Sequence, residues 1–197
     1  MSVKRIKVIY LLLLTMLFIT SCTVNPVTGQ NEFLLMSKQQ EITLGKKNYS
    51  PSRQAQGGDY YIDAELQSYV AGVGKKLATF SAQPDLPFEF IVLNNSVPNA
   101  WALPGGKIGI NRGLLMYLED EAQLAAVLSH EIVHAAARHS AAQMSRGTLL
   151  SLGVMAVGVT AKGKDNDQLY SLASQAGAAA WLVKYGRDDE LEADYYG

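Results

Sequence analysis

Residues 130–139 read HEIVHAAARH and contain all three histidines of this 197-residue chain. They end a stretch, residues 119–139, that predicts a long helix, because its apolar residues recur at helical spacing and acidic residues occupy its first turn. On such a helix, positions i and i+4 lie about 40° apart around the axis and one turn apart along it. The imidazoles of His130 and His134 are therefore predicted to project together.

His130, Glu131 and His134 form the pattern HExxH, which is typical of zinc hydrolases. Two imidazoles on one helix face can bind one zinc ion at about 2.0–2.1 Å. Glu131 adjoins a ligand in sequence, so its carboxylate can lie beside the metal and act as the general base that takes a proton from the attacking water. The pattern predicts a single zinc ion at His130 and His134, with Glu131 as the catalytic residue. The alternative is an amphipathic helix with two solvated histidines.

A catalytic zinc ion needs a third protein ligand and an open fourth position. His139 is predicted to point away from the shared face, since on a continuous helix it lies about 140° around the axis from His134. We interpret it as a helix-terminal residue or as one that supports a ligand. The three-histidine pattern HExxHxxGxxH is disfavoured, because this chain has Ala137 and Ser140 where that pattern has Gly and His.

The acidic segment 187–194, RDDELEAD, can supply a carboxylate from a second helix. Glu190 and Asp194 lie at i and i+4, so Glu190 can bind zinc while Asp194 accepts the outer N–H of a ligating histidine. On spacing alone, Glu192 and the other aspartates remain candidates, and a solvated acidic helix end is a further reading. The spacing therefore indicates the segment without selecting the ligand.

The N-terminus has the order of a lipoprotein signal peptide. Basic residues precede an apolar run at 8–19, which is shorter than a membrane span requires. The run leads into Ile19-Thr-Ser-Cys22, which resembles a bacterial lipobox, and Cys22 is the only cysteine. We predict a signal peptide at 1–21, lipidation of Cys22 and attachment to the membrane by lipid alone. By similarity to Gram-negative lipoproteins, Thr23 favours the periplasmic face of the outer membrane.

Downstream, the patterns predict one α+β domain in which helices predominate. Residues 22–36 are rich in turn formers and predict a tether, and residues 37–197 predict the folded domain. We expect a loop at 50–58 and a small sheet beside the HExxH helix, from β-rich runs at 88–93 and 107–110. The apolar segment 148–161 predicts a packed core helix, and residues 168–185 and 188–197 predict two more helices. Basic and acidic residues number 17 and 18 without a basic cluster, which excludes nucleic acid as a partner.

Three motifs, in this order, resemble metallopeptidase family forty-eight, a gluzincin family that includes the CAAX prenyl proteases, HtpX and periplasmic lipoprotein proteases. The motifs are PNAWALPGG at 98–106, HEIVHAAARH at 130–139 and ELEAD at 190–194. The resemblance implies a zincin-like fold, with Glu190 as the third zinc ligand and Asp194 supporting a ligand. It also implies an edge strand at Asn99, Ala100 and Trp101, where a substrate backbone would pair by β-addition. The alternative there is a buried tryptophan that stabilises a hairpin.

The same resemblance implies a zinc metalloendopeptidase that hydrolyses peptide bonds of unfolded or misassembled cell-envelope proteins. Its substrates would be proteins or peptides, with proteins of outer-membrane assembly as candidate partners. The alternative is a non-catalytic zinc-binding lipoprotein that acts as a chaperone or scaffold, and the presence of Glu131 argues against it, because a structural site needs no base. Members of the family usually continue beyond the third-ligand motif, which implies further helices after Gly197.

Overall fold

The computed structural model of this protein describes residues 22–161 and 167–197, and helices predominate in it over two small sheets. This confirms the predicted α+β class. The predicted signal peptide lies outside the described residues. In chain order the elements are β1 (Cys22–Val24), β2 (Asn31–Phe33), α1 (Lys38–Ala55), α2 (Ala64–Ala78), β3 (Glu89–Leu93), β4 (Ala100–Leu103), β5 (Lys107–Asn111), α3 (Arg112–Leu115), α4 (Glu121–Ala136), α5 (His139–Ala161) and α6 (Asp167–Tyr196).

The larger sheet has the strand order β3-β5-β4, with β5 parallel to β3 and antiparallel to β4. All five residues of the central strand β5 are buried. The turn between β4 and β5 contains Gly105 and Gly106 at φ 75° and 85°, a left-handed conformation that glycine adopts without steric cost. The turn leaves β4 as an edge strand, next to α4.

Helices α2 and α4 pack on this sheet and form the main core with it. Five side chains of this core are almost completely buried: Val70 from α2, Val92 from β3, Ile108 and Ile110 from β5, and Leu128 from α4. Burial of each such side chain contributes about 1.5–3 kcal/mol to folding. The helix that carries HExxH is therefore fixed to the sheet along its apolar face.

The predicted helix at 119–139 is two helices in the structure. Asp120 begins α4 as its N-cap, with a side chain that accepts the Gln123 N–H at 2.9 Å. The helix ends at Ala136, because Arg138 adopts φ 66°, and His139 is the first residue of α5. The prediction that His139 points away from His134 is wrong for this reason, since it assumed a continuous helix.

Helix α1 extends into the segment predicted as a loop at 50–58. Pro51 lacks an N–H and costs the helix one internal hydrogen bond. The helix continues because Tyr49 is buried with its ring edge on Trp101, and Arg53 pairs with Asp59 beyond the helix end. Tertiary contacts on both sides of the proline outweigh its local preference.

Helices α5 and α6 pack against each other, and α6 is one helix where two were predicted. The predicted core packing of the apolar segment is wrong for residues 149–157, none of which is buried; Leu152 is 55% exposed and Met155 is 58% exposed. In the described part of α5, this stretch has a solvent-facing side. Within residues 22–161 and 167–197, the helices are too short or too polar to cross a bilayer.

The segment predicted as a tether forms a short hairpin that packs on the domain. β1 and β2 pair antiparallel, and the turn between them contains Asn25, which is 1% exposed. Leu34 packs with Ala141 and Ala142 of α5. Part of the N-terminal segment therefore belongs to the folded unit.

Candidate active site

His130 and His134 face each other one turn apart on α4. Their Nε2 atoms are 3.0 Å apart, and both side chains are mostly shielded from solvent. The i, i+4 spacing on a regular helix explains this convergence. Two nitrogen atoms are thus available to one ion.

Glu190 of α6 completes the cluster. One carboxylate oxygen is 3.3 Å from His130 Nε2, and the other is 3.6 Å from His134 Nε2. Ligand atoms about 2.0–2.1 Å from one tetrahedral zinc ion lie about 3.3–3.4 Å from each other. The observed separations of 3.0, 3.3 and 3.6 Å bracket that value. These three side chains could therefore hold one metal ion.

The close approach of α6 to α4 places Glu190. Ala193 is fully buried and packs with Val133 and Ala137, so a small residue lies at the crossing of the two helices. Arg146 of α5 pairs with Asp189 of α6 at 3.0 Å, which links α6 to α5. Contacts of Asp189 and Ala193, which precede and follow Glu190 in the sequence, thus fix the position of Glu190 and the direction of its side chain.

Asp194 lies against the outer nitrogen of His130. Its Oδ1 is 2.9 Å from His130 Nδ1. A carboxylate accepts only, so Nδ1 carries the proton and the Nε2 lone pair faces the cluster. The arrangement matches what the i, i+4 spacing of Glu190 and Asp194 led us to expect.

Glu131 is buried in the same cleft and is not part of the cluster. Burial raises the pKa of its carboxyl to about 7; the charge of Glu190 acts in the same direction, and that of His130 opposes it. A carboxyl with a pKa near neutrality can both accept and return a proton.

Burial also lowers the pKa of His134 to about 4; nearby His139 acts in the same direction, and Glu190 opposes it. His134 is therefore neutral at pH 7. A neutral imidazole keeps the lone pair that a metal ligand requires.

His139 touches His134 but is not one of the three cluster residues. The distance between their Nδ1 atoms is 2.9 Å, and His139 Nε2 is 3.1 Å from an oxygen of Glu192. That oxygen also accepts a hydrogen bond from Asn25 at 3.0 Å. Sequence reasoning proposed support of a ligand as one role for His139 but missed Asn25, since no local pattern shows a contact across 167 positions.

The cleft has a volume of about 380 Å³ and runs between β4 and the three helices α4, α5 and α6. Asn99, Ala100 and Trp101 line it from the edge of the sheet. The Trp101 ring lies on Gly109, where a Cβ would come within 2.5 Å of it. The indole thus has a packing role in the hairpin, while the main chain of β4 remains along the cleft.

The sequence profile of Peptidase family M48 matches residues 64–197, which is more than half of the chain. The chain therefore belongs to this family of zinc-dependent metallopeptidases, and the resemblance seen in its three motifs is confirmed. The zincin-like fold and the single zinc ion expected at the cluster follow from this membership and from the geometry.

Curated relatives include the beta-barrel assembly-enhancing protease of Escherichia coli (strain K12), which is 29% identical over an alignment of 171 residues that covers 79% of this chain and 35% of that protein. The mitochondrial metalloendopeptidase OMA1 of Schizosaccharomyces pombe is 34% identical over 131 residues, 66% of this chain and 37% of that protein. OMA1 of Saccharomyces cerevisiae is 29% identical, covering 87% of this chain and 52% of its own length. This chain thus spans about a third of the length of the first two.

Proposed function

We propose that this member of peptidase family M48 is a zinc-dependent metalloendopeptidase that hydrolyses peptide bonds of unfolded or misassembled cell-envelope proteins. The observation that carries the proposal is the cluster of His130, His134 and Glu190 in a cleft that also contains Glu131. A structural zinc site is normally closed by four protein ligands. Among the described residues this cluster offers three, which leaves a position for the reaction.

The residues divide the chemistry between them. A zinc ion held by the cluster supplies a Lewis acid that activates water and polarises the peptide carbonyl. Glu131 accepts one proton of the attacking water as the water oxygen bonds to the carbonyl carbon. Glu131 then passes that proton to the amide nitrogen as the C–N bond breaks, which releases one peptide with a new carboxyl group and one with a new amine.

The main chain of β4 is suited to hold an extended substrate. Asn111 N–H donates to Asn99 O at 2.9 Å, so this pair is hydrogen-bonded across the β4–β5 ladder. Antiparallel pairs alternate, which turns the N–H groups of Ala100 and Ala102 away from β5 and towards the free edge. A substrate strand can pair with these groups, with its peptide bonds alongside the cluster.

The choice of envelope proteins rests on the relatives and on the N-terminus. The E. coli relative is named for enhancing β-barrel assembly, which supports outer-membrane proteins as substrates and assembly proteins as partners. The signal-like segment before Cys22 supports lipidation at Cys22 and attachment to the periplasmic face of the outer membrane. Lipid at Cys22 would then attach the protein to the membrane.

The proposal is tested with the chain expressed with its own signal segment and purified in detergent. One outer-membrane β-barrel protein is offered twice, unfolded in dilute urea and folded in detergent micelles. We expect cleavage of the unfolded form, loss of cleavage with a zinc chelator and recovery on adding zinc. Cleavage of neither form, or only of the folded form, would contradict the proposal.

A further inference from the structure

A series of polar contacts connects the ligand cluster to the N-terminal hairpin. It runs from His134 Nδ1 to His139 Nδ1 at 2.9 Å, and from His139 Nε2 to Glu192 at 3.1 Å. The same Glu192 oxygen accepts the Asn25 amide N–H at 3.0 Å. His139 is 4% exposed and Asn25 is 1% exposed, so water cannot substitute easily at either position.

When both imidazoles are neutral and Glu192 is ionised, the donors and acceptors in this series of contacts allow only one order of protons. An ionised carboxylate accepts and cannot donate, so His139 must carry its proton on Nε2 and donate it to Glu192. In a neutral imidazole, Nδ1 of His139 is then an acceptor. It accepts the Nδ1–H of His134, whose Nε2 is left with a lone pair.

That lone pair points towards the cluster, since His134 Nε2 is 3.0 Å from His130 Nε2 and 3.6 Å from Glu190. The opposite order of protons would place an N–H on His134 Nε2 and prevent it from binding a metal ion. The outer contact of His134 thus decides whether His134 can serve as a ligand.

Asn25 fixes the end of this series of contacts that lies farthest from the cluster. Its side-chain oxygen accepts the N–H groups of Val27 and Thr28 at 2.8 and 3.2 Å, so its amide nitrogen must point the other way. That nitrogen donates to Glu192 and, at 3.2 Å, to Glu32. The orientation of Glu192 therefore depends on the β1–β2 turn.

We propose that His139 is a positioning residue that holds His134 in its metal-binding tautomer, with Glu192 and Asn25 holding His139 in turn. The inference rests on the zinc site of the proposed function, but not on peptide cleavage. It also assigns the N-terminal hairpin a role in the active site, because Asn25 belongs to that hairpin.

The first test measures zinc affinity by competition with a chromophoric chelator. His139→Phe fills the same space without a nitrogen, and we expect it to bind zinc about 10- to 100-fold more weakly. His139→Asn is the conservative variant, because its side-chain oxygen can accept the His134 Nδ1–H, and we expect it to recover part of the loss. Circular dichroism and thermal unfolding establish that each variant is folded. Equal zinc affinity of the wild type and folded His139→Phe would overturn the inference.

The second test needs no variant for its readout. In the zinc-loaded wild type labelled with ¹⁵N-histidine, ring nitrogen shifts report which atom carries each proton, and the chain has only three histidines. We expect His139 to be protonated at Nε2 and His134 at Nδ1; a proton on His139 Nδ1 would overturn the inference. If the wild type bound no zinc, the proposed function would fall as well; if it binds zinc and cleaves nothing, only the proposed function falls.

Discussion

Arg138 has a left-handed backbone, with φ 66°, although it is not a glycine. For such a residue this conformation costs about 1–2 kcal/mol. Its guanidinium pairs with buried Glu41 and donates to Met36 O at 2.8 Å, which offsets the cost. The turn at Arg138 is what brings His139 back to His134, so the contacts of Arg138 with Glu41 and Met36 contribute to the geometry around His134.

Glu41 makes stability depend on pH in a direction that its ion pair alone would not suggest. Burial raises the pKa of the Glu41 carboxyl, and this effect outweighs the opposing influence of Arg138. The folded state then binds the proton more tightly than the unfolded state does. The stabilisation is complete below the unfolded pKa of about 4.3 and is lost as pH rises through the higher folded pKa.

We therefore expect the wild type to gain stability relative to Glu41→Gln as pH falls from 8 towards 4. Glutamine keeps the shape and an acceptor oxygen but cannot titrate, which makes it the matched control. Urea unfolding of both proteins at a series of pH values measures the difference. A difference that stays constant, or that grows with rising pH, would show that the pKa of Glu41 is not raised.

Asp194 is expected to strengthen metal binding through His130. Asp194→Ala removes the acceptor 2.9 Å from His130 Nδ1, and we predict about tenfold weaker zinc binding, the lower end of the usual effect because the carboxylate is largely exposed. Asp188→Ala, at an exposed position of the same helix, is the control. Chelator competition measures all three proteins, and equal affinities would contradict a supporting role for Asp194.

At the scale of elements, the sequence was most informative where structure depends on neighbours along the chain. The face of α4 that carries His130 and His134 follows from helical period alone, and strands β3 and β5 follow from the short β-rich runs at 88–93 and 107–110. The end of α4 does not follow from the sequence, because a left-handed residue at the end of a helix is normally signalled by glycine, and here that residue is Arg138. The course of α1 through Pro51 also depends on burial of Tyr49, which only the folded structure reveals.

Strand β4 supports a prediction about substrate binding. Ala102→Pro removes an N–H that faces the free edge, and an edge strand tolerates this change. The loss of one hydrogen bond is worth about 0.5–1.5 kcal/mol, so we expect kcat/KM for a peptide to fall about two- to thirteenfold.

Ala102→Val is the matched control for that prediction, because it enlarges the side chain but keeps the N–H. We expect it to retain most of the activity. If both variants lost activity equally, the side chain rather than the main chain of β4 would be responsible, and pairing of the substrate at this edge would be contradicted.

At the scale of the whole molecule, residues far apart in sequence meet at one site. Helices α4 and α6 supply the metal ligands, the larger sheet supplies the edge strand, and the N-terminal hairpin contacts Glu192 through Asn25. Spacing identified the acidic segment, and the resemblance to the family selected Glu190 within it, but the position of Glu190 beside the two histidines depends on the packing of Ala193 between α6 and α4. Contacts of this kind depend on how helices cross, which spacing along the chain does not encode.

The proposed anchor makes a prediction for the intact cell. Cys22→Ser should abolish incorporation of labelled palmitate and move the protein from the membrane fraction to the soluble fraction, since the apolar run before it is too short to favour a permanent span. Fractionation with and without a high-salt wash separates lipid anchoring from electrostatic attachment. Labelled lipid on the Cys22→Ser variant would contradict the assignment of this cysteine.

The central claim is that this cleft hydrolyses peptides with Glu131 as the base, and one paired measurement tests it most directly. Zinc content and casein cleavage are measured in the same preparations of the wild type, Glu131→Gln and Glu121→Gln, a control at an exposed position of the same helix. We predict that all three bind one zinc ion, that the wild type and Glu121→Gln cleave casein, and that Glu131→Gln does not. Equal cleavage by zinc-loaded Glu131→Gln, or no cleavage by the zinc-loaded wild type, would contradict the account.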